Sequence, residues 1–290
     1  MVPDTPMAQV ENPGKKDQIR ALRREASPDK FGLETRPEKN LCHYTSQQSL
    51  IGILKERGIY ATDARYLNDS QEIVYAVDLA KRYFEKRNST RASGVLKSLN
   101  LIEELLVDRP IYVASFSERP DLLSQWRGYC PTGSGFALCI SSDRVMALAK
   151  THGWRLVKCI YSEPKQLEVL AKLEEFAFSG AWDKPSGIFA LTLLLIAPAL
   201  KHPAFEEESE WRALRFFGPD QILIRLGIST LVPYIMFALT VSTEPIELAS
   251  LVVGPTPHGA LAKMAVETLL RRMKVTCPEP VSSQIPFRNW

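Results

Sequence analysis

The sequence predicts an α+β protein, one domain with a mixed or antiparallel central sheet flanked by helices. Three observations carry that expectation. Ile111 to Ser117, Gly135 to Ser141 and Arg155 to Tyr161 are runs rich in β-branched and aromatic residues, separated by polar or Gly/Pro punctuation. Other stretches repeat apolar residues at the helical spacing of three and four. Strands and helices do not alternate strictly, which points away from a purely parallel sheet.

The elements follow in chain order. Met1 to Asn40 reads as a polar tail without the apolar run of a secretory signal, so the folded domain is expected over 41–290. Leu41 to Tyr44 reads as a strand, and Ser46 as the N-cap of a helix carrying Leu50, Ile51 and Leu54, which Gly58 closes. Asn68-Asp69-Ser70 gives turn and cap chemistry before a helix over Gln71 to Arg87, and another is expected over Val95 to Leu106. After the three strand runs, Glu163 to Ala204 is helical. Its Ile188 to Leu200 portion is almost wholly apolar, yet too short to span a bilayer and interrupted by Pro198, so a buried helix is expected. Glu210 to Phe217, Ile222 to Leu226 and Ile246 to Val253 return to strand character, and a last helix covers His258 to Met273.

Composition narrows the function classes. At 290 residues, 45% hydrophobic and 24% charged, the chain has the make-up of a folded globular protein. Its formal charge of +3 gives no global drive toward nucleic acid or a membrane surface. The five cysteines are scattered with no C-x-x-C pair, which indicates neither a disulfide framework nor a zinc site and suits a reduced cytoplasm. No G-x-S-x-G elbow, Walker A loop or H-E-x-x-H motif is present, and Gly133-Ser134-Gly135 lacks the rest of a dinucleotide fingerprint. No metal centre is expected.

Three clusters could carry chemistry. In Cys42-His43-Tyr44-Thr45, strand alternation sends His43 and Tyr44 to opposite faces, and a neutral imidazole could bond a ligand hydroxyl as readily as a core carbonyl. In the second, Ser115 and Ser117 share a strand face, and Trp126, Arg127 and Tyr129 follow with rings and charge suited to a planar ligand or to bracing the sheet. The third is K-H-P-A-F-E-E-E-S-E-W-R over 201–212. With a strand beginning near Glu208, the residues Glu208, Glu210 and Arg212 fall on one face, two like charges beside one cation.

In this order these clusters resemble a bacterial family catalogued as domain of unknown function 2971. The matching pieces are L-C-H-Y-T-S at 41–46, L-N-D-S-Q-E at 67–72, S-F-S-E-R-P-D-L-L-S-Q-W-R-G-Y at 115–129, G-F-A-L at 135–138, the 201–212 segment, V-V-G-P-T at 252–256 and S-Q-I-P-F-R at 283–288. More distantly, the order of polar residues is similar to that of ADP-ribosyltransferases, with His43 on an early strand, Ser115 and Ser117 or Tyr129 in the middle, and Glu208 and Glu210 late. That likeness implies NAD as substrate, transfer of its ADP-ribosyl group to a protein, nucleic acid or small acceptor, and a toxin or phage-defence role. It implies that Glu210 stabilises the ribosyl cation and Glu208 activates the acceptor. His43 would bond a ribose, Tyr44 or Trp126 would stack on nicotinamide, and Ser115, Ser117, Arg127, Tyr129 and Arg212 would complete the pocket. Two other roles compete: a non-enzymatic module that recognises a nucleotide or nucleic-acid end through His43, Trp126, Arg127 and Arg212, and a structural partner in which the acids only pair with Arg212.

Overall fold

The computed structural model describes residues 21–286 apart from 23, 68–70, 88, 103, 105, 107–109, 131–134, 217–221 and 228. The turn expected at 68–70, Gly133 and Ser134, and the last residues of the 283–288 piece lie outside the described residues.

Among the described residues, ten strands form one branched sheet. They are β1 (Leu41–Ser46), β2 (Gly58–Asp63), β3 (Ile111–Ser117), β4 (Gly135–Ile140), β5 (Arg155–Lys158), β6 (Glu210–Phe216), β7 (Leu223–Leu226), β8 (Leu231–Ala238), β9 (Ser250–Val253) and β10 (Val281–Ser282). The main path runs β10-β9-β4-β1-β3-β2-β8-β7, and β6 with β5 branches from β3. Every named pair is antiparallel except β9 with β10. The described helices are α1 (Gln47–Glu56), α2 (Gln71–Glu85), α3 (Thr90–Leu99), α4 (Leu123–Tyr129), α5 (Ser142–Thr151), α6 (Glu163–Ala177), α7 (Pro185–Ile196) and α8 (Gly259–Arg272).

Alternation along the strands divides the core. From β3, Ile111 and Val113 enter a cluster with α2, α3, α6 and α7, while Tyr112, Ala114 and Phe116 enter another with α1, α5 and α8. A smaller third cluster joins Cys42, Tyr44, Ala137 and Cys139 to Trp126 of α4. The apolar α7 is buried almost all round, and Pro198 limits it by forcing a 3₁₀ turn at Ala197–Ala199.

The branch makes the site. One edge of β3 pairs with β6 over its whole length. Its other edge is shared: β2 pairs near the start (Thr62↔Val113, Asp63↔Tyr112), and β1 touches only at Cys42↔Ser117. Where β1 and β2 part, the sheet opens.

Several expectations need correction. Gly58 does not close α1; Arg57 does, in the left-handed region (φ 60°), and Gly58 opens β2. Glycine suits the close approach of β8 there, since a Cβ would lie 2.6 Å from Met236 Cε and 3.1 Å from the Phe237 carbonyl oxygen. The helix expected over Val95 to Leu106 begins earlier, because Ser89 caps it by accepting the Ala92 amide. Strands β2 and β8 and helix α5 have no counterpart among the expected elements. The polar tail is shorter than expected: Leu22, Ala26, Phe31 and Leu33 are buried, and Phe31 meets Phe176 of α6 edge-on, so the described residues of 21–40 pack as part of the body.

The absence of a disulfide is also overturned. Cys42 and Cys139 are bonded, because the register sets them opposite each other on β1 and β4 with Cα atoms 3.9 Å apart. A separation of 97 residues in sequence hid the pair. Among the described residues, no helix is long and apolar enough to cross a membrane.

Candidate active site

The site is built on three neighbouring strands. In register, Cys42 of β1 faces Ser117 of β3, Ser117 faces Glu210 of β6, and Ser115 faces Arg212. Directly paired residues share a sheet face, so Ser115, Ser117, Glu210 and Arg212 lie together with Cys42 and Tyr44. His43 belongs by alternation to the opposite face. It reaches the opening edgewise: its Nδ1–H donates to the Ser115 carbonyl oxygen (2.9 Å) where the backbone of β1 has left β3. That bond fixes the tautomer and leaves Nε2 as an acceptor. Burial lowers the His43 pKa against the opposing pull of the Ser115 carbonyl, so the ring is neutral at pH 7.

The acids are held differently from the strand expected at Glu208. A 3₁₀ helix, Pro203–Glu208, precedes β6, and Ser209 adopts a left-handed conformation (φ 45°, ψ 50°). This turn folds Glu208 back so that Lys201 Nζ lies 2.6 Å from Glu208 Oε2 and 2.8 Å from Glu210 Oε2. Arg212 grips Glu210 with two nitrogens, Nε to Oε1 at 2.8 Å and Nη2 to Oε2 at 3.0 Å, and Nη1 donates to the Pro198 carbonyl oxygen at 2.6 Å. Lys201, Glu210 and Arg212 are each at most 5% exposed, while the Glu208 side chain is 18% exposed.

Their titration diverges accordingly. Burial would raise both carboxyls. For Glu210 the adjoining Arg212 and Lys201 outweigh burial and hold it well below the usual carboxylate range. For Glu208 burial wins over its single contact with Lys201, and its pKa is raised.

A cavity of ≈ 20 Å³ lies over this group, lined by Cys42, His43, Tyr44, Ser115, Phe116, Ser117, Gln125, Tyr129, Glu208 and Glu210. That is room for about one water. Tyr129, at the end of α4, lines it and is part-exposed as a residue (42%), while burial around its hydroxyl first, and then the charges of Glu210 and Glu208, push its phenol pKa upward. Ser117 Oγ donates to the Glu208 carbonyl oxygen (2.6 Å) and accepts the Arg119 amide, so it holds the turn.

The stacking residues behave otherwise than expected. Tyr44 and Trp126 meet each other edge-on (4.6 Å between centroids) and are 4% and 3% exposed. Trp126 Nε1 donates to Asp121, and the Tyr44 hydroxyl donates to the Arg119 carbonyl oxygen and accepts the Leu122 amide. Their rings brace α4 on β1, and Tyr44 reaches the cavity wall while Trp126 does not. Arg127 is exposed on α4 and does not line the cavity. Lys201 and Gln125 were missed as site residues; a lysine seven residues before Glu208 gives no strand or helix signal, and only the turn at Ser209 brings it in. Among the described residues no group of His, Cys, Asp and Glu is arranged to hold a metal.

A second, larger cleft of ≈ 400 Å³ lies behind the acids, with Cys159, Tyr161, Glu206 and Ser209 in its wall. Tyr161 joins the two spaces by accepting the Glu210 amide at 2.9 Å.

Residues 125–213 match a family model described as a protein of unknown function, DUF2971. The match runs from Gln125 in α4 through Ala213 in β6, so it covers Tyr129 and the whole ion group but neither β1 nor β3. No curated protein and no solved structure matches the chain.

Proposed function

We propose that this opening is the active site of an NAD-consuming enzyme of the glycosyl-transfer type. The carrying observation is that two carboxyls on one lysine are pushed in opposite directions, Glu208 up and Glu210 down, the pattern that separates a proton-handling acid from a fixed charge. Glu208 is the carboxyl a substrate can reach, and it takes the proton of the acceptor. Glu210 supplies permanent negative charge beside the ribosyl cation and holds Lys201 and Arg212 in place. His43 Nε2 accepts from a ribose hydroxyl. Tyr129 must swing aside to admit the substrate, because the cavity as it stands holds about one water. The acceptor is a protein, nucleic acid or small molecule. The reduced cytoplasm expected from the scattered cysteines loses that support, since Cys42 and Cys139 are bonded.

One observation favours a structural reading instead: Arg212 is wholly engaged by Glu210 and Pro198, as in a buried joint between β6 and the segment after α7. The same engagement weakens the nucleotide-recognition reading, since Arg212 is not open to a phosphate.

The test is nicotinamide release from NAD, measured by chromatography on the wild type and on Glu208→Gln. Release that falls about 100- to 1,000-fold in the variant, with the melting temperature kept, supports the enzyme. Absence of release by the wild type, together with no thermal shift at millimolar NAD, overturns it.

A further inference from the structure

We infer that the protein forms a symmetric dimer through the free edge of β7. The branched sheet has three ends, and two are closed. At one, β10 is only two residues long and follows Pro278 and Pro280, which donate no backbone hydrogen bonds. At the second, β5 is covered by the chain before β1: the Lys158 amide donates to the Glu34 carbonyl oxygen and Arg155 Nη1 to the Ala26 carbonyl oxygen. The third end is β7. It pairs with β8 alone, and among the described residues nothing pairs with its outer edge.

Its side chains are also unlike those of a protected edge. Ile222 is 49% exposed, Ile224 55%, Leu226 85% and, across the hairpin, Leu231 58%. By alternation Ile222, Ile224 and Leu226 share one face, and Leu231 is the register partner of Leu226. The exposed apolar area is on the order of 500 Å², at the upper end of what single molecules leave uncovered. Edge pairing sets the two rows side by side on one face of a continuous sheet, so that Ile224 and Leu226 of each copy cover the flanks of Ile224 and Ile222 of the other.

The register can be worked out. Ile224 faces Pro233, which has no N–H, so this is a non-hydrogen-bonded pair, and the backbone groups of Ile224 point away from β8. The Gly227 amide bonds to the Thr230 carbonyl oxygen, a hydrogen-bonded pair in the opposite phase to Ile224, so Ile222 and Leu226 point outward with Ile224. An antiparallel copy centred on Ile224 then pairs Ile224 with itself and Leu226 with Ile222 of the second chain, all through outward-facing groups. Centring on Arg225 would oppose two like charges. Arg225 is in any case turned inward, its Nη2 donating to Thr62 Oγ1 at 3.0 Å. In this arrangement the opening at β1, β3 and β6 remains uncovered, because β2 and β8 lie between β3 and β7.

The mass of the full chain in solution, by light scattering and sedimentation over a micromolar concentration series, tests the inference. The wild type is expected to dimerise. Ile224→Lys, a charge on the edge, is expected to be monomeric with an unchanged circular-dichroism spectrum and melting temperature. Ile224→Cys is expected to give a covalent dimer on mild oxidation, since Cα atoms of a hydrogen-bonded pair lie about 5.5 Å apart. A wild type that is monomeric throughout, higher assemblies without a dimer, or a dimer that persists in Ile224→Lys would overturn it. Failure of the NAD reading leaves this test untouched.

Discussion

Glu210→Gln separates what the ion group does for the fold from what it does for chemistry. The substitution keeps the shape but removes a negative charge that faces Lys201 at 2.8 Å and Arg212 at 2.8 and 3.0 Å. Lys201 keeps Glu208, whereas Arg212 loses the carboxylate that two of its nitrogens grip and keeps the Pro198 carbonyl oxygen. Removing one member of a buried ion pair costs about 3–5 kcal/mol, because the cation left behind stays desolvated. At about 2 °C per kcal/mol for a chain of this size, the melting temperature should fall by roughly 6–10 °C. Adding Arg212→Met should recover part of that loss, since it takes away the stranded cation and substitutes an unbranched apolar chain. Scanning calorimetry or fluorescence melting is the assay, with Glu208→Gln as the comparison, expected to shift by no more than about 2 °C. If Glu210→Gln melts within about 2 °C of the wild type, or the second substitution worsens the loss additively, the group is not the tightly coupled cluster described.

Acid dependence gives a second check, with opposite signs for the two acids. Glu210 is held below its ordinary value of 4.5, so its contribution is complete above that pH and is lost as pH falls toward about 2. Glu208 is raised, so ionising it costs stability, and protonation on moving from neutral to mildly acid pH relieves that cost. The difference in melting temperature between wild type and Glu208→Gln should therefore change between pH 7 and 4.5; a constant difference would contradict the assignment. Thiol titration of the unreduced, denatured chain should find three free thiols of the five cysteines, and five would exclude the bond between Cys42 and Cys139. Cys139→Ser should cost about 2–4 kcal/mol by denaturant melting, given the long loop it releases. Gly135→Ala should destabilise markedly, because its Cβ would lie 1.9 Å from Cys130 Sγ and 3.0 Å from the Thr45 carbonyl oxygen; a neutral result would mean β1 and β4 are more loosely packed than drawn.

Local signals in the sequence were enough for the strands with clean punctuation, such as β3 and β4, for the Ser46 cap and for the apolar α7. They failed where tertiary context decides. β2 follows α1 with no loop, and its glycine is a close-approach residue that reads locally as a helix stop. β8 contains Pro233, which weakens any strand signal, yet the proline sits where pairing with β2 ends. The site was legible in its ingredients, since His43, Ser115, Ser117, Tyr129, Glu208 and Glu210 do converge. Its wiring was not. Strand periodicity put Glu208 on the Glu210 face, whereas a left-handed serine brings both onto Lys201; the aromatic pair Tyr44 and Trp126 looked available because burial cannot be read from residue type.

The branch at β3 has a consequence for how the chain folds. β3 is the common neighbour of β1, β2 and β6, and its longest ladder joins segments far apart in sequence: Trp211 Nε1, for example, donates to Glu118 across 93 residues. Closing so large a loop carries an entropic cost that must be met before β6 can zip, so the topology predicts slow folding with β6 arriving late. Lys201, Glu210 and Arg212 lie close in sequence and can pair locally, but they become buried only when β6 docks on β3 in the closing stage. Refolding rate should accordingly be insensitive to Glu210→Gln, and the loss of stability should show up almost entirely as faster unfolding.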